Sequence, residues 1–308
     1  MSARAADDDL LADLRPVAFG IAYRMLGSVA EAEDVVQEAL LRVHAAVAGG
    51  ERLESPRAYV ATVATRLAID QLRSARVRRE RYTGEWLPEP LVADAATDPA
   101  ARAELADSLS LAFLVLLERL TPEQRAVLLL RDVFHYGYGE IAVIVGKSEA
   151  NVRQLAVRAR RRVEEGRPRF EASRARRDEL AARFLAATRD GDLPGLEALL
   201  ARDVVLHGDG GGKVPALAQA LHGRARVART LVAWGRQGRR GGTSVRPATV
   251  NGQPGAVIAD AEGRVLGVMA LDIRDDRVQA VRSIVNPDKL GHVGPVGDML
   301  AVLRAGTN

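Results

Sequence analysis

The chain has 308 residues, with 44 lysines and arginines against 40 aspartates and glutamates, and it contains no cysteine. This length allows two or three domains, because domains cluster around roughly 100 to 150 residues. The absence of cysteine excludes disulfide bonds and thiolate metal sites and fits a reducing compartment. No apolar run approaches the roughly 20 residues of a membrane span, and the N-terminal segment MSARAADDDLL is acidic where a signal peptide would be basic. We therefore expect a cytoplasmic protein with no membrane partner.

The N-terminal third has the apolar periodicity of helices. Residues 10–26 predict one helix, and Ser28 with Glu31 three residues later predicts the start of a second through a capping box. Pro56 after Ser55 predicts a third start, since proline at the first helical position loses no hydrogen bond. This third helix leads into a basic cluster that suits a polyanion. The cluster consists of Arg73, Arg76, Arg78, Arg79 and Arg81.

The composition changes over residues 84–104. This stretch contains prolines and acidic side chains and has no basic residue before Arg102. Such a composition predicts a linker. Helical periodicity then resumes at Leu105, and Thr121 followed by Pro122 predicts another helix start, with Gln124 as the reciprocal capping partner.

Residues 138–165, YGEIAVIVGKSEANVRQLAVRARRRVEE, predict a helix-turn-helix. Such a motif needs a small residue where its helices touch, a glycine at the turn and an apolar residue that seals the pair, and Ala142, Gly146 and Val152 occupy those places. Ser148 is expected to cap the second helix, whose first turns would then reach base edges while later cations meet phosphates. A plain helical hairpin is the alternative. The glycine, the cap and a second basic cluster favour DNA, and that cluster consists of Arg158, Arg160, Arg161 and Arg162.

Beyond residue 177 the pattern becomes mixed. Residues 178–189 and 193–200 predict helices, and the segments SVRPATVNG, PGAVIADAEG, RVLGVMALDIRDD and RVQAVRSIVN predict strands, because β-branched and apolar residues stand between Gly, Asn and Asp. We expect a separate α+β domain in which two or three helices are followed by a curved antiparallel sheet.

The segment HGDGGGKV at residues 207–214 is similar in composition to a phosphate-binding loop. A nucleotide loop of the form G-x-x-x-x-G-K-[ST] needs a first glycine where His207 stands and a metal-binding hydroxyl where Val214 stands. Both are missing, so the pattern argues against a nucleotide site. Tight turns and close backbone approach explain the glycines better.

Three segments, AEDVVQEALLRV, PRAYVATVATRLAIDQLR and LTPEQRAVLLLRDVFHYGYGEIAVIVGKSEANVRQLAVRARRRV, resemble regions two and four of the extracytoplasmic-function sigma factors, in the order of that family. The resemblance implies two all-α domains, core RNA polymerase and promoter DNA as partners, and promoter-specific initiation of transcription. It covers about half of the chain. Tyr59 stands where tryptophan is common in the family, and Arg66 stands where asparagine is common.

The resemblance also implies roles for particular residues. The helix face expected to bind the polymerase carries Asp34, Gln37, Glu38 and Leu41, at a spacing of i, i+3, i+4 and i+7. The residues expected at the −10 element are Tyr59, Arg66, Asp70, Arg73 and Arg76. The residues expected at the −35 element are Ser148, Asn151, Arg153, Gln154, Arg158 and Arg161.

The C-terminal extension is similar to the SnoaL-like cone fold of polyketide cyclases and ketosteroid isomerases, and to a subgroup of sigma factors that carries this fold. WLPEPL, DGGGK and NPDKL are the motifs of that resemblance. We expect them to form an interdomain, regulatory contact. Its residues are Trp86, Leu87, Pro88, Asp209, Gly210, Gly211, Gly212, Lys213, Asn286, Pro287, Asp288 and Lys289.

Isomerase chemistry in such a fold needs an Asp base and Tyr or protonated Asp donors. His207, Asp209 and Asp272 are available, but the extension contains no tyrosine. We therefore expect no catalysis, no cofactor and no metal. Two alternatives stay open, namely a small-molecule effector in the C-terminal domain and a DNA-binding protein that keeps cyclase or isomerase activity.

The expected organisation is thus multidomain. Residues 1–83 form sigma region two, 84–104 the acidic linker, 105–166 the region-four helix-turn-helix, 167–177 a connector and 178–308 the SnoaL-like domain. The expected function is that of an alternative sigma factor whose activity is modulated in cis by its third domain.

Overall fold

The structure is a computed structural model that describes residues 3–80, 82–93, 108–164 and 173–306, with only the backbone for 3–8 and 75–80. The chain divides into two compact units. The first comprises Met1–Arg81 and Leu114–Arg167, and the second comprises Tyr82–Phe113 and Pro168–Asn308. The predicted linker, over the part that the structure describes, therefore belongs to the second unit.

The first unit begins with three helices, α1 (Ala3–Leu26), α2 (Val29–Ala48) and α3 (Pro56–Glu80). The predicted starts of α2 and α3 are confirmed: Ser28 Oγ accepts a hydrogen bond from the Glu31 amide at 3.2 Å, and Ser55 Oγ accepts one from the Ala58 amide at 3.3 Å. These side chains satisfy amide groups that have no partner inside the helix. The three helices are packed around a buried apolar core.

The described part of this unit also contains α5 (Pro122–Asp132), α6 (Tyr138–Val145) and α7 (Glu149–Glu164), and α4 (Leu111–Leu117) enters it at Leu114. The capping box of Thr121 and Gln124 is present, with hydrogen bonds of 3.3 and 3.1 Å. Gly146 ends α6 with φ of +65°, and Ser148 Oγ accepts a hydrogen bond from the Asn151 amide at 3.3 Å. The local signals of the helix-turn-helix are therefore confirmed.

The second unit holds α8 (Arg174–Asp190), α9 (Leu193–Leu199), α10 (Arg224–Arg240) and α11 (Met299–Ala305), with a 3-10 turn at Pro287–Lys289. Its strands are β1 (Val92–Ala93), β2 (Leu200–Asp209), β3 (Leu221–His222), β4 (Ser244–Val250), β5 (Gln253–Ala259), β6 (Val265–Arg274) and β7 (Arg277–Ile284). They form one sheet in the order β1-β4-β5-β6-β7-β2-β3. The four predicted strand segments correspond to β4–β7.

One feature of the sheet differs from the expectation of purely antiparallel strands. β2 pairs with β7 in parallel, whereas the other strand pairs are antiparallel. The sequence pattern predicts a helix up to Leu200 and no strand after it, because LARDVVLHGD follows α9 without a turn signal. The polar end of β2 thereby lies next to β7, where His207 faces Arg282 and Asp209 faces Ile284.

Alternation along the strands gives the sheet two different faces. Met269, Leu271 and Val281 belong to an apolar core with Phe184 of α8 and Leu231 of α10. On the opposite face of β2, His207 and Asp209 alternate with the core residue Leu206 and contact Glu85 and Leu87 of the segment 82–93. Helices therefore pack on one face of the sheet, and the start of the linker meets the other face at β2.

Candidate functional site

The predicted polymerase-binding residues share one face of α2. Asp34, Gln37 and Leu41 are exposed, and Leu41 keeps 56% of its surface accessible. Glu38 is partly buried and pairs with Arg42 at 2.8 Å. Val35, Val36, Ala39 and Val43 form the buried side of the same helix. An exposed leucine between carboxylates is what a protein-binding surface needs.

The predicted −10 residues lie on α3, where two of them contact region four. Arg66 donates from Nε to the Ile144 carbonyl at 2.9 Å and from Nη2 to the Val143 carbonyl at 2.8 Å. Arg73 donates to Glu123 at 2.8 Å and to Asp70 at 3.1 Å. These are contacts with α6 and α5, so two candidate DNA ligands are engaged inside the unit. Of the other candidates, Tyr59 is half-buried, and the side chain of Arg76 lies outside the described residues.

A buried arginine strengthens the contact between regions two and four. Arg125 on α5 is 3% exposed and donates to the Met25 carbonyl at 2.6 Å and to the Leu117 carbonyl at 3.0 Å. Arg24 on α1 lies over the Phe134 ring at 5.5 Å, and burial lowers the pKa of its guanidinium to about 10. Neither arginine belongs to a basic cluster, so no sequence pattern predicts its role.

The predicted −35 residues follow the exposed side of α7. Ser148, Asn151, Arg153, Gln154, Arg158 and Arg161 are all exposed. Arg153 stacks on Tyr138 at 4.6 Å and pairs with Glu149. Arg160, which the sequence placed with the phosphate contacts, instead pairs with Asp132 of α5 at 2.9 Å. Arg160 therefore holds α7 against α5.

Asp209 is the centre of a second polar site, in the C-terminal unit. It is fully buried and accepts four hydrogen bonds. The donors are the Tyr82 hydroxyl at 2.5 Å, the Leu87 amide at 2.8 Å, the Gly211 amide at 3.1 Å and the Lys289 ammonium at 2.6 Å. Buried carboxylates need such a set of donors, because desolvation otherwise disfavours the charged form.

Lys289 brings the third motif to the same point. Its side chain is 7% exposed, and the ammonium also donates to the Leu87 carbonyl. The same ammonium lies 4.4 Å from the Trp86 ring centre and 4.8 Å from that of Tyr82, in cation–π contact. Asn286 donates to the Tyr82 hydroxyl at 2.7 Å. WLPEP, DGGGK and NPDKL thus meet around one buried ion pair, which we call the Asp209 cluster (Tyr82, Trp86, Leu87, Asp209, Asn286 and Lys289).

Tyr82 contributes the phenol that the C-terminal extension itself lacks. Burial, and the hydrogen bond to Asp209, raise the pKa of this hydroxyl well above its usual value. The hydroxyl therefore stays protonated and donates to the carboxylate. Tyr82 stands four residues before the WLPEP motif, so the motif does not predict its part in the site.

The glycines of the loop are explained by contact. A Cβ at Gly210 would lie 2.4 Å from the Val214 carbonyl oxygen. At Gly211, where φ is +60°, it would lie 2.3 Å from Asn286 Nδ2. At Gly212, where φ is +71°, it would lie 2.9 Å from Thr83. Close approach and left-handed backbone both require glycine here.

Further contacts extend the attachment of the linker to the domain. His207 Nδ1 lies 2.6 Å from Glu85, and His292 Nε2 lies 2.7 Å from the Pro90 carbonyl. The Leu91 amide donates to Asn251 at 2.8 Å, just before β1 joins β4. Lys213 and Asp288 form an ion pair of 2.6 Å at the surface and do not contact the linker segment through that pair. Pro88 of the linker is buried.

The carboxylates considered for acid–base chemistry are engaged elsewhere. Asp272 pairs with Arg282 in a buried contact between β6 and β7, and Asp209 holds the linker. A cavity of about 290 Å³ lies beside Lys213, Leu266, Val285, Pro287 and Met299, and neither aspartate lines it. Among the described residues, no group of three or more His, Cys, Asp or Glu side chains could hold a metal ion. No described helix is long and apolar enough to cross a membrane.

Comparisons with known proteins agree with this architecture. The family Sigma-70 region 2 matches residues 10–78, and Sigma-70, region 4 matches residues 110–163. The ECF RNA polymerase sigma factor SigJ of Mycobacterium tuberculosis is 40% identical over 288 residues, which cover 90% of each chain. The probable ECF RNA polymerase sigma factor SigI of the same species is 34% identical and covers 88% of this chain and 90% of its own.

The fold of the whole chain is similar to a solved structure. The crystal structure of SigJ from Mycobacterium tuberculosis matches 93% of this chain and 99% of that chain, with a TM-score of 0.73 and 36% identity. The match includes the C-terminal SnoaL-like domain. This chain belongs to the extracytoplasmic-function sigma factors of the sigma-70 family, in which it combines two sigma domains with a SnoaL-like domain.

Proposed function

We propose that this sigma factor binds core RNA polymerase through the exposed face of α2 and promoter DNA through α3 and α7, and that its third domain controls access to both DNA surfaces. Membership of the family implies core polymerase and promoter DNA as partners. The residue assignments rest on exposure. Leu41, Asn151, Gln154 and Arg158 are accessible to a partner, and each stands on a helix that is anchored by a buried apolar side.

The observation that carries the regulatory part is the Asp209 cluster. The stretch from Tyr82 to Leu87 is attached to the buried ion pair of Asp209 and Lys289 by the Tyr82 hydroxyl, the Leu87 amide and the Leu87 carbonyl. This stretch begins two residues after the end of α3. Attachment therefore removes conformational freedom from the tether between regions two and four, and contacts within a chain form at a high effective concentration.

The contacts of α3 support an inhibitory direction. Arg66 contacts α6, and Arg73 contacts α5. These two arginines must leave those contacts before they can bind the −10 element, so the contacts compete with DNA binding. When the third domain holds part of the tether, the free length of the tether falls. This favours the arrangement in which Arg66 and Arg73 contact α6 and α5. We propose that the third domain keeps initiation low until the Asp209 cluster opens.

The test is reconstituted initiation with core polymerase. Lys289→Met removes the buried ammonium and keeps the side-chain length, whereas Lys213→Met removes an ammonium whose side chain is 55% exposed. We expect Lys289→Met to raise promoter-dependent initiation several-fold and Lys213→Met to leave it unchanged. Equal initiation by Lys289→Met and the unchanged protein would contradict the regulatory role, and initiation by none of them would contradict the sigma-factor assignment of these surfaces.

The cavity beside Lys213 and Pro287 supports a second regulatory input by a small, mostly apolar effector. Its lining is apolar at Leu266, Val285 and Met299, and its volume of about 290 Å³ is close to the lower end of ligand pockets. Val285→Trp would fill it. If an effector acts there, this variant loses the response of initiation to that effector and keeps basal initiation.

A further inference from the structure

The charge of this protein is unevenly distributed. Residues 210–259 contain no Asp or Glu, whereas they contain eight basic residues. These are Lys213, Arg224, Arg226, Arg229, Arg236, Arg239, Arg240 and Arg246. The whole chain has a net charge of only +4, whereas this segment has +8, so the rest of the chain has a net charge of −4. Six of the eight residues stand on α10.

The arginines of α10 form a stripe. Arg226, Arg229, Arg236 and Arg240 follow a spacing of three, seven and four residues, with exposed Ala233 in the gap. At 3.6 residues per turn, these positions lie above one another on one side of a helix. All four are exposed. The opposite side is buried by Val227, Ala228, Leu231 and Val232.

No ion pair within the described part of the chain neutralises this stripe. None of the four guanidinium groups lies within 4.0 Å of a described carboxylate, whereas arginines elsewhere in the same unit pair locally, as Arg176 does with Glu179 and Arg264 with Asp260. Like charges at helical spacing destabilise a helix by a few tenths of a kcal/mol for each pair. The stripe therefore opposes the stability of α10, and its apolar side alone explains the folding of the helix.

We propose that the arginine stripe (Arg226, Arg229, Arg236 and Arg240) is a third DNA-binding surface, which contacts the phosphate backbone of duplex DNA without reading sequence. Arg226 and Arg240 are 14 residue steps apart, or about 21 Å at a rise of 1.5 Å per residue. This length corresponds to about six base pairs at 3.4 Å each. Guanidinium groups bind phosphate oxygens in a bidentate manner.

Duplex DNA fits the stripe better than an acidic protein surface does. The stripe has no large apolar residue at its centre, only Ala233, whereas protein interfaces place aromatic or aliphatic anchors there. The sigma-factor role brings duplex DNA to the protein, so the inference rests on that role only for its biological setting.

The test measures binding of the full chain to a 40-base-pair duplex of mixed sequence, by fluorescence anisotropy at increasing KCl and without polymerase. The variant R226Q/R229Q/R236Q/R240Q is compared with R174Q/R202Q/R274Q/R304Q, which removes the same charge from other helices and strands of this unit. Each phosphate contact adds about 0.9 to the slope of log affinity against log salt. We expect the stripe variant to lower this slope by about 2 to 4 and the matched variant by less than 1.

Three results would overturn the proposal. Equal slopes for the two quadruple variants would mean that only net charge matters. An unchanged slope for the stripe variant would mean that α10 does not touch DNA. Loss of binding to core polymerase, measured separately, with unchanged binding to DNA would assign the stripe to a protein partner. Circular dichroism of each variant checks that the total helix content is unchanged, and a photo-crosslinking residue at Ala233 should attach to the duplex in the folded protein.

Discussion

Asp209 and Lys289, which stand 80 residues apart, form a buried ion pair of 2.6 Å that binds the start of the linker. The carboxylate reaches the pair from the end of β2, and the ammonium reaches it from the 3-10 turn after β7. The parallel pairing of β2 with β7 brings these two chain segments together. The linker supplies Tyr82 and the Leu87 amide to the same carboxylate, so the ion pair joins three distant parts of the sequence.

Removal of the charge on Asp209 should destabilise the C-terminal unit. Asp209→Asn leaves Lys289 buried without a counter-charge, and breaking a buried ion pair from one side costs about 3 to 5 kcal/mol. Asp288→Asn is the matched control, because its partner Lys213 is exposed and such pairs contribute about 0 to 1 kcal/mol. Denaturant unfolding followed by the fluorescence of Trp86 and Trp234 measures both. Similar midpoints for the two variants would show that the pair does not stabilise the unit.

The Tyr82 hydroxyl should make stability depend on alkaline pH. Its pKa in the folded protein is raised above the value of about 10 that tyrosine has in an unfolded chain. The stabilisation is therefore complete below pH 10 and is lost as pH rises toward the folded pKa. We expect the difference in unfolding free energy between the unchanged protein and Tyr82→Phe to be constant up to about pH 9 and to shrink above pH 10.

Titration of lysines and of the other tyrosines affects both proteins in this comparison, so only the difference between them reports on Tyr82. A difference that stays constant up to pH 11 would mean that the hydroxyl has an ordinary pKa and is not held by Asp209.

Substitution at Gly211 should disrupt the loop through contact as well as through backbone strain. Gly211→Ala places a Cβ 2.3 Å from Asn286 Nδ2, in a backbone with φ of +60°. Gly50→Ala is a suitable control, because φ is +80° there and a Cβ would meet nothing within 4 Å. We expect a loss of about 1 kcal/mol for the strain at Gly50 and at least twice that at Gly211. Equal losses, measured by thermal unfolding, would mean that the Asn286 contact adds nothing.

Replacement of Arg66 by the residue that is common in the family should loosen region four. Arg66→Asn removes two hydrogen bonds to the carbonyls that end α6. We expect hydrogen exchange in residues 141–147 to increase by about five- to tenfold, which corresponds to one bond of about 1 to 1.5 kcal/mol. Arg57→Asn on the same helix is the control, since Arg57 is exposed and the hydrogen bonds to the Val143 and Ile144 carbonyls come from Arg66. Unchanged exchange in Arg66→Asn would show that the contact is not kept in solution.

The exposed leucine of α2 should be required for polymerase binding and dispensable for folding. Leu41→Asp introduces a charge into the predicted interface, and we expect the affinity for core polymerase to fall at least 30-fold, equivalent to about 2 kcal/mol. Leu300→Asp provides the comparison, because Leu300 is also exposed, at 38%, and lies on α11. A competition assay for core polymerase measures the affinity of both variants. An equal loss of affinity in Leu41→Asp and Leu300→Asp would show that Leu41 is not part of the polymerase interface.

Much of the fold follows from local signals. The capping side chains Ser28 and Thr121 and the left-handed glycine Gly146 start and end helices where the sequence predicts them, because each satisfies backbone groups of its own turn. The strands β4–β7 are also predicted by local patterns of apolar and β-branched residues. The strand β2 is not predicted, because LARDVVLHGD follows a helix directly and ends in polar residues. Asp209 at that end is polar because it binds residues that are distant in the sequence.

The sequence by itself determined the two sigma domains, the order of the helices, the glycine at the helix-turn-helix and the three motifs that mark the third domain. Only the tertiary structure decided what those motifs touch. A buried carboxylate requires several donors at once, and those of Asp209 come from positions 82, 87, 211 and 289, which only sheet pairing can bring together. In the same way, the structure alone showed that Arg66 and Arg73 bind region four, because a helix pattern gives the face of a side chain but not the chain segment that it meets.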